Sequence, residues 1–215
     1  AVRSNLLFAK SVILVEGDAE EILIPILIKK VLGISLDELG ISLINIRSTG
    51  FQNIAVLFHS DRIRKRCSII TDLDKAIINT TPAVGDSDKM LRRKSKYKAS
   101  QEKGIARKTL LAELYKNNHW VSSYFAPHTF EVDFVSAGNA DLLVSILPHI
   151  YTDKPTIEKA KKELKSADIA LYGQRALTMA NSEGKGWFAI LLGKKVNPET
   201  VIPQYILDAC LLYTS

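Results

Sequence analysis

The sequence predicts an α/β fold, a parallel β-sheet flanked by helices. Short β-branched apolar runs occur at residues 10–15 (KSVILV), 41–46 (ISLINI) and 67–74 (CSIITDLD), and helix-compatible segments separate them. Strand, helix, strand, helix, strand is the order of a parallel sheet joined by right-handed crossovers. Two of these strands run straight into acids, at Glu16 and at Asp72 and Asp74. The carboxyl ends of strands are where open α/β sheets gather ligands.

Each element follows from local chemistry. The first strand stops at Gly17, where Asp18 suits a helix N-cap and Glu21 the third position of a capping box. The helix predicted over 19–32 carries Ile22, Leu23, Ile26 and Leu27 and closes at Gly33. After the second strand, RSTG reads as a loop, and residues 51–58 as a helix with Ile54, Ala55 and Phe58 on one side. Beyond Asp74 the pattern breaks. Residues 79–104 lack an apolar period and read as a loop or mobile insertion, with a helix resuming near Ile105 and running to Tyr115. Between Lys89 and Lys108 stand nine Lys or Arg against one acid, Glu102. A fourth strand is expected at 121–125, followed by HTFEVDF, and then helices at 158–167, 170–179 and 187–194. The chain is expected to divide into a core over 1–150, with a basic insertion at about 79–118, and a helical segment over 151–215. No internal repeat is present.

Composition bounds the function. The chain has 215 residues, 47% of them hydrophobic and 24% charged, with net charge +6 and a pI near 9.2. These are the proportions of a soluble globular domain, and the mild basicity permits an anionic partner. The longest apolar run, Ile22 to Ile28, is interrupted by Pro25 and is too short for a bilayer. No signal pattern opens the chain. Cys67 and Cys210 lack metal-ligand spacing and read as reduced thiols, which suggests the cytoplasm. The first residue is not Met and CLLYTS at the end lacks a helix cap, so a fragment of a longer protein is expected.

The acids separate by role. Glu16 precedes Gly17 and has no capping task; its ordinary alternative is a salt bridge. Glu20 lies one helical turn on and reaches the same site if Glu16 faces it. In an extended D-x-D, Asp72 and Asp74 point to the same face. If the first and third strands are neighbours, Glu16, Asp72 and Asp74 meet at one edge. Carboxylates that close repel one another, and a cation between them relieves the repulsion. Oxygen ligands of this kind suit Mg²⁺ or Mn²⁺.

VILVEGDAEE and IITDLD resemble the two acidic signatures of the TOPRIM (topoisomerase–primase) domain. Together with FAKSVILVEGDAEEILIP, STGFQN, ITDLDK, TFEVDF and GKGWFAILL, in that order, the chain resembles the nuclease part of the OLD (overcoming lysogenization defect) family. The resemblance implies a TOPRIM fold and a metal-dependent endonuclease of DNA. It also implies an ABC-type ATPase domain ahead of it, a possible homo-oligomer formed through that domain, and a role in phage defence. No G-x-x-x-x-G-K-[ST] occurs here, so that ATPase is not within these residues. By resemblance, Glu16, Glu20, Asp72, Asp74 and Glu131 are metal ligands, Glu16 and Lys185 are catalytic, and Asp133 is open between a site role and a surface or capping role.

Five carboxylates exceed the share one Mg²⁺ takes from protein, so two ions about 4 Å apart are expected. The basic segment, with Arg92, Arg93, Lys94, Lys96 and Lys98, would hold the DNA backbone without reading sequence; its plain alternative is a solvated charge run. Two rivals remain at this level. One is a metal-dependent phosphohydrolase of small substrates. The other is a non-catalytic TOPRIM module that binds DNA. A dinucleotide-binding fold is excluded, because no G-x-G-x-x-G follows the first strand.

Overall fold

The computed structural model describes residues 8–47 and 50–211. Ser48 and Thr49 of the STGFQN stretch and residues 212–215 of the tail lie outside the described residues. Four strands, β1 (Ser11–Val15), β2 (Ile41–Asn45), β3 (Arg66–Asp72) and β4 (Val121–Ala126), form one parallel sheet in the order β2-β1-β3-β4. Ser11 pairs with Ile41 on one side and Arg66 on the other, and Cys67 pairs with Val121. β1 and β3 are therefore direct neighbours pointing the same way, and their carboxyl ends share one edge. Because both faces are covered, the strands are continuously apolar. Ile13 and Val15 face one core with Leu23, Leu27, Phe130 and Phe188. Val12 and Leu14 face the other with Phe51, Phe58, Ile69 and Leu111.

Helix α1 (Asp18–Leu32) closes at Gly33, whose N–H bonds back to Lys29. Its N-cap is Gly17 rather than Asp18, and no side chain caps it. Asp18 and Glu21 instead accept hydrogen bonds from the Asn45 amide, at 2.9 Å each. The capping box gave way because the neighbouring strand end offers both carboxylates a donor. A short α2 (Phe51–Ala55) follows β2.

The main departure from expectation is the basic segment. It is not a loop but a continuous helix, α3 (Asp88–Tyr115), capped by Ser87, whose side chain accepts from the Met90 N–H at 3.3 Å. Lys, Arg, Leu, Ala and Glu are strong helix formers, so the stretch needs no apolar stripe to be helical. Two buried positions anchor it, Gly104 and Leu111. Gly104 lies flat against the backbone of Leu73, between the two aspartates; a Cβ there would sit 2.2 Å from the Leu73 carbonyl oxygen. Gly104→Ala is thus expected to lower the melting temperature in thermal denaturation, although alanine is the better helix former by about 1 kcal/mol. The overlap costs about 1–3 kcal/mol and must push α3 off the β3 end.

After β4, TFEVDF forms a short helix α4 (Phe130–Phe134), which a π-helical turn (Val135–Asn139) joins to α5 (Ala140–Ile150). Neither α5 nor the last helix, α9 (Gln204–Leu211), is anticipated by the sequence pattern. Between them lie α6 (Lys154–Leu164), α7 (Ile169–Glu183) and α8 (Lys185–Lys195). Each of these three starts earlier than its sequence pattern suggests, because Asp153 and Asp168 cap α6 and α7 through their side chains and α8 begins directly after Gly184. These helices share one core with β1 and α1. α8 packs along α1, where Lys30 donates to the carbonyls of Gly193 (3.1 Å) and Val196 (3.2 Å). Among the described residues, no helix is long and apolar enough to cross a membrane.

Candidate active site

Glu16 stands just past β1. Thr71, buried on the neighbouring β3, donates its hydroxyl to Glu16 Oε2 at 3.0 Å. Glu20 sits one turn into α1 and is only 7% exposed. Its carboxylate folds back over Gly17, where an added Cβ would come within 2.6 Å of Oε2. The glycine after Glu16 thus leaves room for the second acid of the pair.

Asp72 is the last residue of β3, and Asp74 lies beyond it with φ 53°. The D-x-D is therefore not extended throughout, as alternation suggested. The chain turns at Asp74 into the left-handed region, which Asp tolerates better than most residues. Glu131 enters from the first turn of α4 with a side chain 0% exposed. Lys185, the first residue of α8, places Nζ 3.1 Å from Glu131 Oε1. Glu131 Oε2 is buried with no hydrogen-bond donor among the described residues.

Protonation energies record the crowding. Burial, then Glu20, Glu131 and Asp74, push the Asp72 carboxyl well above its ordinary range. Burial, with added repulsion from Glu131 and Glu16, raises Glu20 from 4.5 to about 7. Burial also raises Asp74, opposed chiefly by Arg107. Burial of the Lys185 ammonium works against its charge, but Glu131 outweighs this and holds its pKa above the usual value. A carboxyl whose pKa is raised on folding binds its proton more tightly in the folded state. The stability it contributes is present below pH 4.5 and lost as pH rises through about 7. The metal-free chain is expected to lose several degrees of melting temperature relative to Glu20→Gln between pH 5 and 8, because ionising a carboxyl held near about 7 rather than 4.5 costs on the order of 3 kcal/mol. Scanning fluorimetry of the pair across pH checks this.

Arg107 is a site residue that sequence reading missed. It reaches down from α3, one turn past Gly104, with a side chain 12% exposed. It donates to the Asp72 carbonyl at 2.5 Å and lies 3.5 Å from Asp74 Oδ2 and 4.0 Å from Glu16 Oε2. Nothing in a run of nine basic residues marks this one as inward-facing; only the contact of Gly104 with Leu73 does. Other basic residues of the run also face inward. Lys94 pairs with Asp86 at 2.6 Å and donates to the Thr81 carbonyl, and Arg93 binds Gln174. Arg92, Lys96 and Lys98 are exposed. Asp133 accepts from the backbone and ring of His128, each at 2.9 Å, which gives it a structural partner.

The donor set suits a hard divalent cation: carboxylate oxygens gathered at one shared edge, with Glu20 and Asp72 held above the ordinary carboxylate range by burial and by neighbouring acids. Among the described residues, no three His, Cys, Asp or Glu side chains are gathered closely enough to hold an ion as they stand. Arg107 between Glu16 and Asp74, and Lys185 on Glu131, supply the positive charge instead.

A parallel sheet of this order, with a Glu after β1 and an Asp pair after β3, defines a TOPRIM-type domain. Residues 7–74 match the family described as overcoming lysogenization defect protein-like, TOPRIM domain. The chain is similar to the C-terminal region of the Burkholderia pseudomallei OLD protein, with TM-score 0.69 and 27% identity over 96% of this chain and 98% of that one. It shares the fold of the C-terminal region of the Xanthomonas campestris pv. campestris OLD protein, with TM-score 0.64 and 22% identity over 96% and 95% of the two chains. No curated protein matches the chain. Residues 7–74 thus match the TOPRIM domain of the OLD-like family, and the chain as a whole has the fold of OLD C-terminal regions.

Proposed function

We propose that this chain is a metal-dependent endonuclease domain that hydrolyses phosphodiester bonds of DNA. The observation that carries the reading is the crowding of buried carboxylates at the shared edge of β1 and β3, with a lysine beside them. Such an arrangement is costly for a merely structural site and useful for one that takes cations. Glu16, Glu20, Asp72, Asp74 and Glu131 would hold two divalent ions, Mg²⁺ or Mn²⁺, which when bound supply Lewis-acid activation of water and offset charge on the leaving oxygen. Glu16, oriented by Thr71, is placed to accept a proton from the attacking water. Lys185, once Glu131 is otherwise compensated, is free to face the charge that develops on the phosphoryl oxygens. Arg107 ties α3 to the same carboxylates, so the helix that meets the backbone and the edge that cuts it move as one piece.

Arg92, Lys96 and Lys98 form the exposed part of the basic helix and would contact the DNA backbone. Replacing all three with Ala is expected to weaken binding to every sequence alike and to reduce the slope of log affinity against log salt by up to about 0.9 per lost phosphate contact. An unchanged slope assigns the run to solvent. By likeness to OLD proteins, an ABC-type ATPase domain would precede these residues in the full protein, any homo-oligomer would form through that domain, and the role would be defence against phage; the free thiols of Cys67 and Cys210 suit the cytoplasm. The deciding experiment incubates the chain with supercoiled plasmid in Mg²⁺, Mn²⁺ or chelator. Conversion to nicked or linear forms only with metal supports the nuclease reading, and no conversion in any metal removes it.

A further inference from the structure

A cavity of about 370 Å³ opens beside Asp74, between α3, the segment after β3, the start of α4 and α7. The metal chemistry explains none of its lining except Asp74. Ile77, Val132 and Leu177 make an apolar part. Arg93 and Lys96 bring positive charge from α3, and the Arg93 guanidinium lies 5.7 Å from the centre of the Tyr97 ring. Thr129 Oγ1, on the wall next to Glu131, is buried without a hydrogen-bond partner among the described residues. An aromatic ring, an apolar wall and cations are the parts that single-stranded nucleic-acid sites combine, stacking for the base and charge for the backbone. The volume falls at the small end of ligand pockets, roughly 300–1,000 Å³, which suits one nucleotide and excludes a duplex.

We propose that this cavity takes one unpaired nucleotide next to the cleaved bond, so that the domain acts on unpaired nucleic acid in preference to intact duplex. The location of the cleaved bond rests on the nuclease reading; the binding of the nucleotide does not. Asp74 belongs to both the cavity and the acidic edge. A base seated between Tyr97 and Leu177 therefore leaves its phosphodiester beside the carboxylates.

Calorimetric titration of the chain with dAMP in chelator, and separately with inorganic phosphate, tests the pocket without catalysis. dAMP is expected to bind at least about fivefold more tightly than phosphate, since stacking one base is worth about 1–3 kcal/mol. Leu177→Trp, which fills the cavity from α7, is expected to remove most of that advantage. Asn181→Trp does the same from an exposed position on the rim and serves if the first variant is unstable. Equal affinity for dAMP and phosphate, or dAMP binding undiminished in both variants, overturns the proposal. In Mn²⁺, a duplex with an unpaired flap is expected to be cut about tenfold faster than a blunt one, a preference that follows from the same stacking energy; equal rates overturn the substrate preference. Tight dAMP binding with no cleavage of any DNA supports the pocket and sinks the nuclease reading. Cleavage with no dAMP binding does the reverse.

Discussion

Asp72→Ala is expected to abolish metal-dependent cleavage, by at least about 10³-fold, while raising the melting temperature of the metal-free chain. The first effect follows from removing a ligand from the centre of the acidic edge, where the bound ions supply several kcal/mol of transition-state stabilisation. The second follows from the crowding itself. Burial and three neighbouring carboxylates oppose the charge on Asp72, so its loss relieves repulsion. Each kcal/mol gained corresponds to about 2–4 °C in a chain of this size. The Arg107 bond to residue 72 is to its carbonyl and survives the substitution, so the docking of α3 is retained. Asp72→Asn repeats the test with the side-chain volume kept. Mg²⁺ should stabilise the wild type in thermal denaturation and leave both variants unchanged. Full activity in either variant removes Asp72 from the metal site. A lower melting temperature in both points to a structural role.

Lys185→Ala is expected to lower kcat and kcat/KM by similar factors, about 10²–10³, as when a preorganised group that meets only the transition state is lost. DNA affinity in Ca²⁺, measured without turnover, should barely change. The structure adds a second consequence. Without metal, Lys185 is the cation beside the fully buried Glu131, so its removal leaves that carboxylate uncompensated. Breaking a buried pair from one side costs about 3–5 kcal/mol, and less here because the lysine is 47% exposed. The variant should therefore melt lower without metal and recover when Mg²⁺ or Mn²⁺ takes over the charge. Lys185→Arg should rescue this stability better than activity, since a planar fork is not a point charge at the phosphate. An affinity loss matching the turnover loss would make Lys185 a substrate-binding residue.

The parallel sheet and most of the acids were legible because their signals are local. An apolar run ending in a carboxylate marks a strand and its outgoing edge within a few residues, and the neighbouring placement of β1 and β3 follows the habit of open α/β sheets. Asp18 and Glu21 show the limit of that reasoning. Their spacing fits a capping box, yet both bind Asn45. A local pattern fixes what a side chain is able to do, and a partner 24 or 27 residues away decides which of those it does.

α3 divides along the same line. Its helical propensity lay in the composition, but a missing apolar stripe hid it, because this helix buries one glycine and one leucine rather than a broad apolar face. The sequence by itself determined the sheet, the helix α1 and the identities of the acids at the ends of β1 and β3. Only the tertiary structure decided which basic residue turns onto the acidic edge. Arg107 lies more than 30 residues from Asp72 and Asp74, and nothing in its own neighbourhood distinguishes it. Its role exists because Gly104 lets two backbones touch, and close approach between distant segments is a property of packing that no local pattern encodes.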